Sequence, residues 1–152
     1  MTELTFCHGR SHPDRTDDDI RKTTHIDINP DANPDIVEDM LDFNFQKTFP
    51  ENSINKMRFV GCPIFLFHKE KFIPWLSKLV INGEIIVYGN YTDRLDYKIP
   101  DMGLNLEKPM TLIEFFQNVL ILFRNSGYFF DMSFVKGKKS DKFIYKLLYR
   151  KK

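Results

Sequence analysis

The stretch from Thr24 to Met40 constrains this chain more than any other part of it. The run His25 to Ile28 carries Asp27, Pro30 and Pro34 punctuate a polar link, and Ile36 and Val37 lead into Asp39 and Met40. Read as two short strands that each run into an acid, the segment places Asp27 and Asp39 at the same edge of a parallel sheet. Open α/β sheets bind their ligands at that carboxyl edge. The glycine-rich turn that ordinarily marks such an edge is nearly absent, because Gly9 is the only glycine before Gly61.

The remaining elements follow from periodicity and punctuation. Leu4 to Cys7 reads as a strand, His8 to Lys22 as a polar segment, and Asn55 to Val60 as a strand stopped by Gly61 and Pro63. Phe65 to Leu79 is helix-like, with Phe72, Leu76 and Leu79 at helical spacing. Pro74 cannot sit deep inside that helix, so a kink or a late start near Lys71 is expected. Asn82 and Gly83 turn the chain into Glu84 to Tyr88, an apolar run of the buried-strand type. Gly89 to Pro109 is then a long loop and a candidate lid. Thr111 and Glu114 have capping-box spacing at the head of a helix with Leu112, Phe115, Phe116, Val119, Leu120 and Phe123 on one face. Tyr128 to Val135 and Phe143 to Tyr149 suit a closing antiparallel hairpin. Strands alternating with helices imply a mostly parallel sheet.

Composition bounds the class. With 152 residues, 42% hydrophobic and 14% aromatic, the chain reads as one globular domain over residues 1–152. No apolar run approaches the roughly 20 residues a membrane helix needs, so no membrane association is expected. The N-terminus lacks the pattern of a secretory signal, and Cys7 and Cys62 do not amount to a disulfide framework. An intracellular location, cytoplasmic by default, is therefore expected. Charge is polarised: residues 1–54 carry 12 acids against 5 bases, whereas residues 121–152 carry 9 bases against 2 acids. A basic end attracts nucleic acid or other anions, and an edge strand guarded by lysines has the same composition.

The element order and its residues resemble the class I S-adenosylmethionine-dependent methyltransferase family over nearly the whole chain. Asp27 stands where that family places the acid that grips the ribose hydroxyls. Asp39 and Met40 stand where it uses an acid for the adenine amino group and a neighbouring backbone amide for the ring. Leu79 to Val87 resembles its passage into the fifth strand, and Phe130 to Tyr149 its closing antiparallel pair. The resemblance implies an α/β, Rossmann-like three-layer sandwich: a mostly parallel sheet, a C-terminal antiparallel hairpin and a reduced N-terminus. It also implies S-adenosylmethionine as cofactor, with Cys7, His8 and Gly9 of the first loop and Gly61 after the fourth strand completing the binding set. The chemistry agrees, since one carboxylate can accept both hydrogen bonds of a ribose diol. An aspartate at a strand end also serves as a turn former or helix cap.

The departures from the family are local. His8 occupies a position where a small residue is usual, and Ser11 to Lys22 has few apolar residues for a packed helix. Gly61, Cys62, Pro63, Ile64 and Phe65 match neither the proline pair of adenine amino-methyltransferases nor the Pro-Cys order of cytosine carbon-5 enzymes, so no catalytic residue is assigned. Cys7, Cys62, His8 and His12 form a conceivable zinc set, but their spacing is not that of a knuckle, and no metal is expected. No phosphate-binding glycine loop is present. Two readings follow: a small methyltransferase of unknown acceptor, with nucleic acid approached through the basic end, or an inactive methyltransferase-like binding or regulatory subunit. Richness in Asn, Lys, Ile and Phe suggests an AT-rich genome and resembles methyltransferase-like proteins of large DNA viruses, which would place the protein in host cytoplasm.

Overall fold

The computed structural model describes residues 1–7, 23–62, 70–91, 98–99, 110–111, 127–136 and 143–152. Its strands are β1 (Glu3–Phe6), β2 (Thr24–Asp27), β3 (Ile36–Val37), β4 (Ile54–Val60), β5 (Leu79–Tyr91), β6 (Lys98–Ile99), β7 (Met110–Thr111), β8 (Gly127–Lys136) and β9 (Phe143–Lys151). Two short helices, α1 (Phe43–Gln46) and α2 (Pro74–Lys78), lie between β3 and β5. Seven strands form one sheet in the order β3-β2-β1-β4-β5-β9-β8, and β6 and β7 pair separately. The first five strands of that order run parallel, and β9 joins β5 and β8 in antiparallel fashion. The expected fold class is therefore present, with β1 and β4 as central neighbours.

Pairing register explains the core. Leu4 opposes Met57, which opposes Ile85, and one step on Phe6 opposes Phe59, which opposes Val87. These residues share one face, because successive side chains alternate across a strand. That face packs against Phe72, Trp75 and Leu76 from the segment before β5. Phe6 stacks on Phe59 with ring centroids 4.8 Å apart, and Trp75 meets Phe6 edge-on at 5.1 Å. The opposite face carries Val60, Ile86 and Tyr88, with Leu148 beside them. It also carries the buried Arg58, whose Nη1 donates to Glu3 Oε2 at 2.7 Å. A buried guanidinium needs such a partner, since its desolvation is otherwise uncompensated. Lys56 and Arg150 flank Glu84 at 3.6 and 2.8 Å on the neighbouring strands, extending the charged rung.

Several elements differ from their sequence expectation for identifiable reasons. The helix expected over Phe65 to Leu79 is helical only from Pro74 to Lys78 within the described residues, after a 3-10 turn at Glu70–Phe72. Pro74 sits at the first helical turn, where its missing N–H costs nothing. Leu79 belongs to β5, paired with Ile54, and the chain bulges before Lys56 meets Glu84. Asn82 makes that bulge with a left-handed φ of 63°. At Gly83 a Cβ would lie 2.8 Å from both Leu79 Cδ2 and the Val80 carbonyl oxygen, so only glycine fits the close return. The long loop after Gly89 is interrupted, since β5 runs on to Tyr91 and Lys98–Ile99 pairs with Met110–Thr111. The helix expected after Thr111 lies outside the described residues. Among the described residues, no helix is long and apolar enough to cross a membrane.

Candidate functional site

A cavity of about 260 Å³ opens at the carboxyl ends of β1, β2 and β3. Phe6 and Cys7 line it from β1, and Ile26, Asp27 and Ile28 from β2. Glu38, Asp39, Met40 and Leu41 close it from the segment after β3. Volume and lining match part of a ligand site, as complete small-molecule pockets run to about 300–1,000 Å³ with mostly apolar walls.

The local chain path aims the acids. Asp27 ends β2, and its Oδ1 accepts from the Asn29 N–H at 2.9 Å. Asn29 in turn caps the 3-10 turn Pro30–Ala32 by accepting from Asp31 N–H, and Asn33, with φ 54°, releases the chain toward β3. The proline-punctuated link is thus one capped turn that sets β3 beside β2, with Asp27 opposite Val37. Asp39 repeats the device, its Oδ1 accepting from the Leu41 N–H at 2.9 Å. Each carboxylate fixes its own loop through Oδ1.

Met40 is held from behind. Its carbonyl accepts from Trp75 Nε1 at 2.7 Å and from Gln46 Nε2 at 2.9 Å. Gln46 also donates to the Lys71 carbonyl at 2.7 Å, and both Gln46 and Trp75 are buried. Asp42 accepts from the Phe45 N–H and starts α1, which brings Gln46 to this position. The Met40 carbonyl is thus turned inward, and the Leu41 N–H is taken by Asp39.

At the next strand ends, Cys7 and Gly61 both turn with left-handed φ, 58° and 68°. Cys7 N–H bonds the Ile26 carbonyl at 3.1 Å, and Gly61 N–H bonds the Tyr88 carbonyl at 2.8 Å. Cys7 and Cys62 are joined by a disulfide, with Cα atoms 5.2 Å apart. The two cysteines, which were not expected to form a disulfide framework, are thus bonded to each other: β1 and β4 are hydrogen-bonded neighbours, so residues 55 apart in sequence meet at one edge. Among the described residues no group of three or more His, Cys, Asp or Glu side chains is placed to hold a metal ion.

The structure thus gathers Cys7, Asp27, Asp39 and Met40 around one cavity, with Gly61 beyond its lining and beside Cys62. His8 and Gly9 lie outside the described residues. Sequence reasoning missed Phe6, Ile26, Ile28, Glu38 and Leu41 as lining residues, although their adjacency to Cys7, Asp27 and Asp39 carries the signal. It also missed Gln46 and Trp75, whose relation to Met40 is purely tertiary.

No family model matches the chain, and no curated protein does. Solved structures do. A 1,6-didemethyltoxoflavin-N1-methyltransferase from Burkholderia thailandensis, solved with S-adenosylhomocysteine, superposes with a TM-score of 0.57 at 14% identity, covering 99% of this chain and 70% of that one. A S-adenosylmethionine-dependent methyltransferase from Archaeoglobus fulgidus gives 0.60 at 13% identity, over 99% and 86%. A 16S rRNA adenine-N(1)-methyltransferase from Catenulisporales acidiphilia, solved with S-adenosylmethionine, gives 0.58 at 7% identity, over 99% and 84%. The fold is that of the class I S-adenosylmethionine-dependent methyltransferases. These similar structures come from cellular organisms and lend no support to a viral source.

Proposed function

We propose that the protein binds S-adenosylmethionine by its adenosine part in the cavity between β1, β2 and β3, as a methyltransferase-like protein. The observation that carries this reading is the convergence of Asp27, Asp39 and Met40 on one cavity at the carboxyl edge of the parallel strands. Asp27 would accept from the ribose hydroxyls through the oxygen its own turn leaves unused. Asp39 would accept from the adenine amine, and the Met40 N–H would donate to the ring. Ile26, Ile28 and Leu41 supply apolar walls for the base. When bound, S-adenosylmethionine supplies an electrophilic methyl group on a sulfonium. The chain's part is to fix the nucleoside so that the methyl presents a single direction to its acceptor, since positioning accounts for much of such a displacement.

For the acceptor, the reading is a nucleic acid or another anion drawn by the basic residues between 121 and 152. A second reading is favoured by one observation. Cys62 is consumed in a disulfide and offers no thiolate, and two of the three carboxylates that line the cavity, Asp27 and Asp39, are assigned to the nucleoside. The fold then serves as a binding or regulatory subunit that holds the nucleoside without transferring its methyl.

Calorimetric titration with S-adenosylhomocysteine tests the binding reading. Saturable binding that Asp27→Ala abolishes supports it, and no heat at millimolar ligand overturns it. If binding is found, transfer of labelled methyl to DNA, RNA or protein pools separates the enzyme from the subunit.

A further inference from the structure

We infer that Cys7 and Cys62 form a thiol–disulfide exchange site that sets the affinity of the nucleoside cavity, with low-molecular-weight thiols and their disulfides as co-reactants. The inference rests on the binding reading above and adds its regulation. Three observations carry it. Cys7 lines the cavity directly, and it is the one cavity residue that is also covalently tied to another strand end. It turns with φ 58°, a left-handed conformation that glycine adopts freely and a residue with a Cβ does not. The bond to Cys62 anchors that turn to the end of β4, which Gly61 bends in the same left-handed sense.

In the oxidised protein the disulfide does for Cys7 what the absence of a side chain would do for glycine. It keeps the backbone left-handed and draws the sulfur toward β4 and Cys62. In the reduced protein nothing covalent opposes the return of Cys7 to an ordinary backbone conformation. The first residue beyond β1 then shifts, and the wall it forms beside Asp27 shifts with it. The oxidised form is the tight-binding one.

The chemistry balances with a monothiol couple. A thiolate RS⁻ attacks Sγ of Cys7, the more exposed of the two residues, and the S–S bond breaks to release the thiolate of Cys62, which is 5% exposed and takes a proton. A second RS⁻ attacks the outer sulfur of the mixed disulfide, giving RSSR and the Cys7 thiolate, which is protonated in turn. Overall the disulfide gains two electrons and two protons, and two RSH become RSSR. Oxidation is the reverse, with RSSR as oxidant.

The test is a set of S-adenosylhomocysteine titrations on the full chain, with glutathione and its disulfide poising the thiols and alkylation with intact mass reporting their state. Reduced protein is expected to bind about tenfold more weakly than oxidised protein, the equivalent of holding one non-glycine residue left-handed. Cys62→Ser should match the reduced protein in either buffer. Cys7→Gly should bind with the same affinity in both buffers, because glycine takes the left-handed turn unaided and no disulfide remains to be reduced. Equal affinity of oxidised and reduced wild-type protein, with binding intact, overturns the coupling and leaves the cofactor reading standing. Redox-dependent binding that persists in Cys7→Gly overturns it as well. Absence of binding in every form overturns both.

Discussion

At the scale of single residues, the two acids do double work, each shaping its own loop and facing the cavity. Asp27→Asn keeps an oxygen for the Asn29 N–H but loses the charge. The fold should survive, while S-adenosylhomocysteine affinity falls by tenfold or more, as hydrogen bonds to charged groups contribute about 1.5–3 kcal/mol. A variant that binds as tightly as wild type would remove Asp27 from the site. Trp75 is the only tryptophan in the chain, and its Nε1 holds the Met40 carbonyl. Trp75→Phe keeps most of the ring packing yet leaves that buried carbonyl with Gln46 alone, so a loss of about 1–3 kcal/mol in chemical denaturation is expected. Asp27 and Asp39 were legible in the sequence because strand and acid are adjacent there. The Trp75 and Gln46 contacts were not, as residues 35 and 6 positions away from Met40 meet it only once the face of the sheet is covered.

At the scale of elements, short strands were readable where apolar runs end at glycine, proline or an acid, as at Val60 and Asp27. The passage from α2 into β5 was not, because a helical spacing at Phe72, Leu76 and Leu79 is shared by a 3-10 turn, a five-residue helix and a strand start. Its return is so tight that Gly83→Ala should cost about 1–3 kcal/mol in thermal or chemical denaturation, as overpacked sites do, since backbone and Leu79 both stand in the way. The same passage carries a charge contact. Lys78 at the end of α2 hydrogen-bonds Glu51 and, with help from Ser77, holds the Glu51 carboxyl below its ordinary range. A carboxylate whose pKa is lowered on folding stabilises the fold above its unfolded-state pKa, and that contribution fades as pH falls through the folded value. Glu51→Gln should therefore lower stability slightly near neutrality, leave it nearly unchanged in acid, and so flatten the acid side of the profile. A profile of unchanged slope would remove this pair from the account. Lys78 is buried but Glu51 is largely exposed, so water screens the pair and the effect is small.

At the scale of the whole molecule, the strand order decides which residues become neighbours, and local sequence is weakest there. Placing β1 between β2 and β4 brings Cys7 to Cys62 across 55 residues, and pairing β3 with β2 brings Asp27 and Asp39 to one cavity. The alternation of strands and helices made the parallel sheet legible, but the disulfide became visible only with the register. Closing a loop of that length contributes about 2–4 kcal/mol, so reduction should lower the denaturation midpoint noticeably. The measurement that bears most directly on the central claim is the crystal structure of the protein with S-adenosylhomocysteine. The account predicts the adenosine in the cavity between β1, β2 and β3, with the ribose diol on Asp27 and the adenine between Asp39 and the Met40 N–H. A ligand bound elsewhere on the fold, or a cavity left empty at saturating ligand, would contradict it.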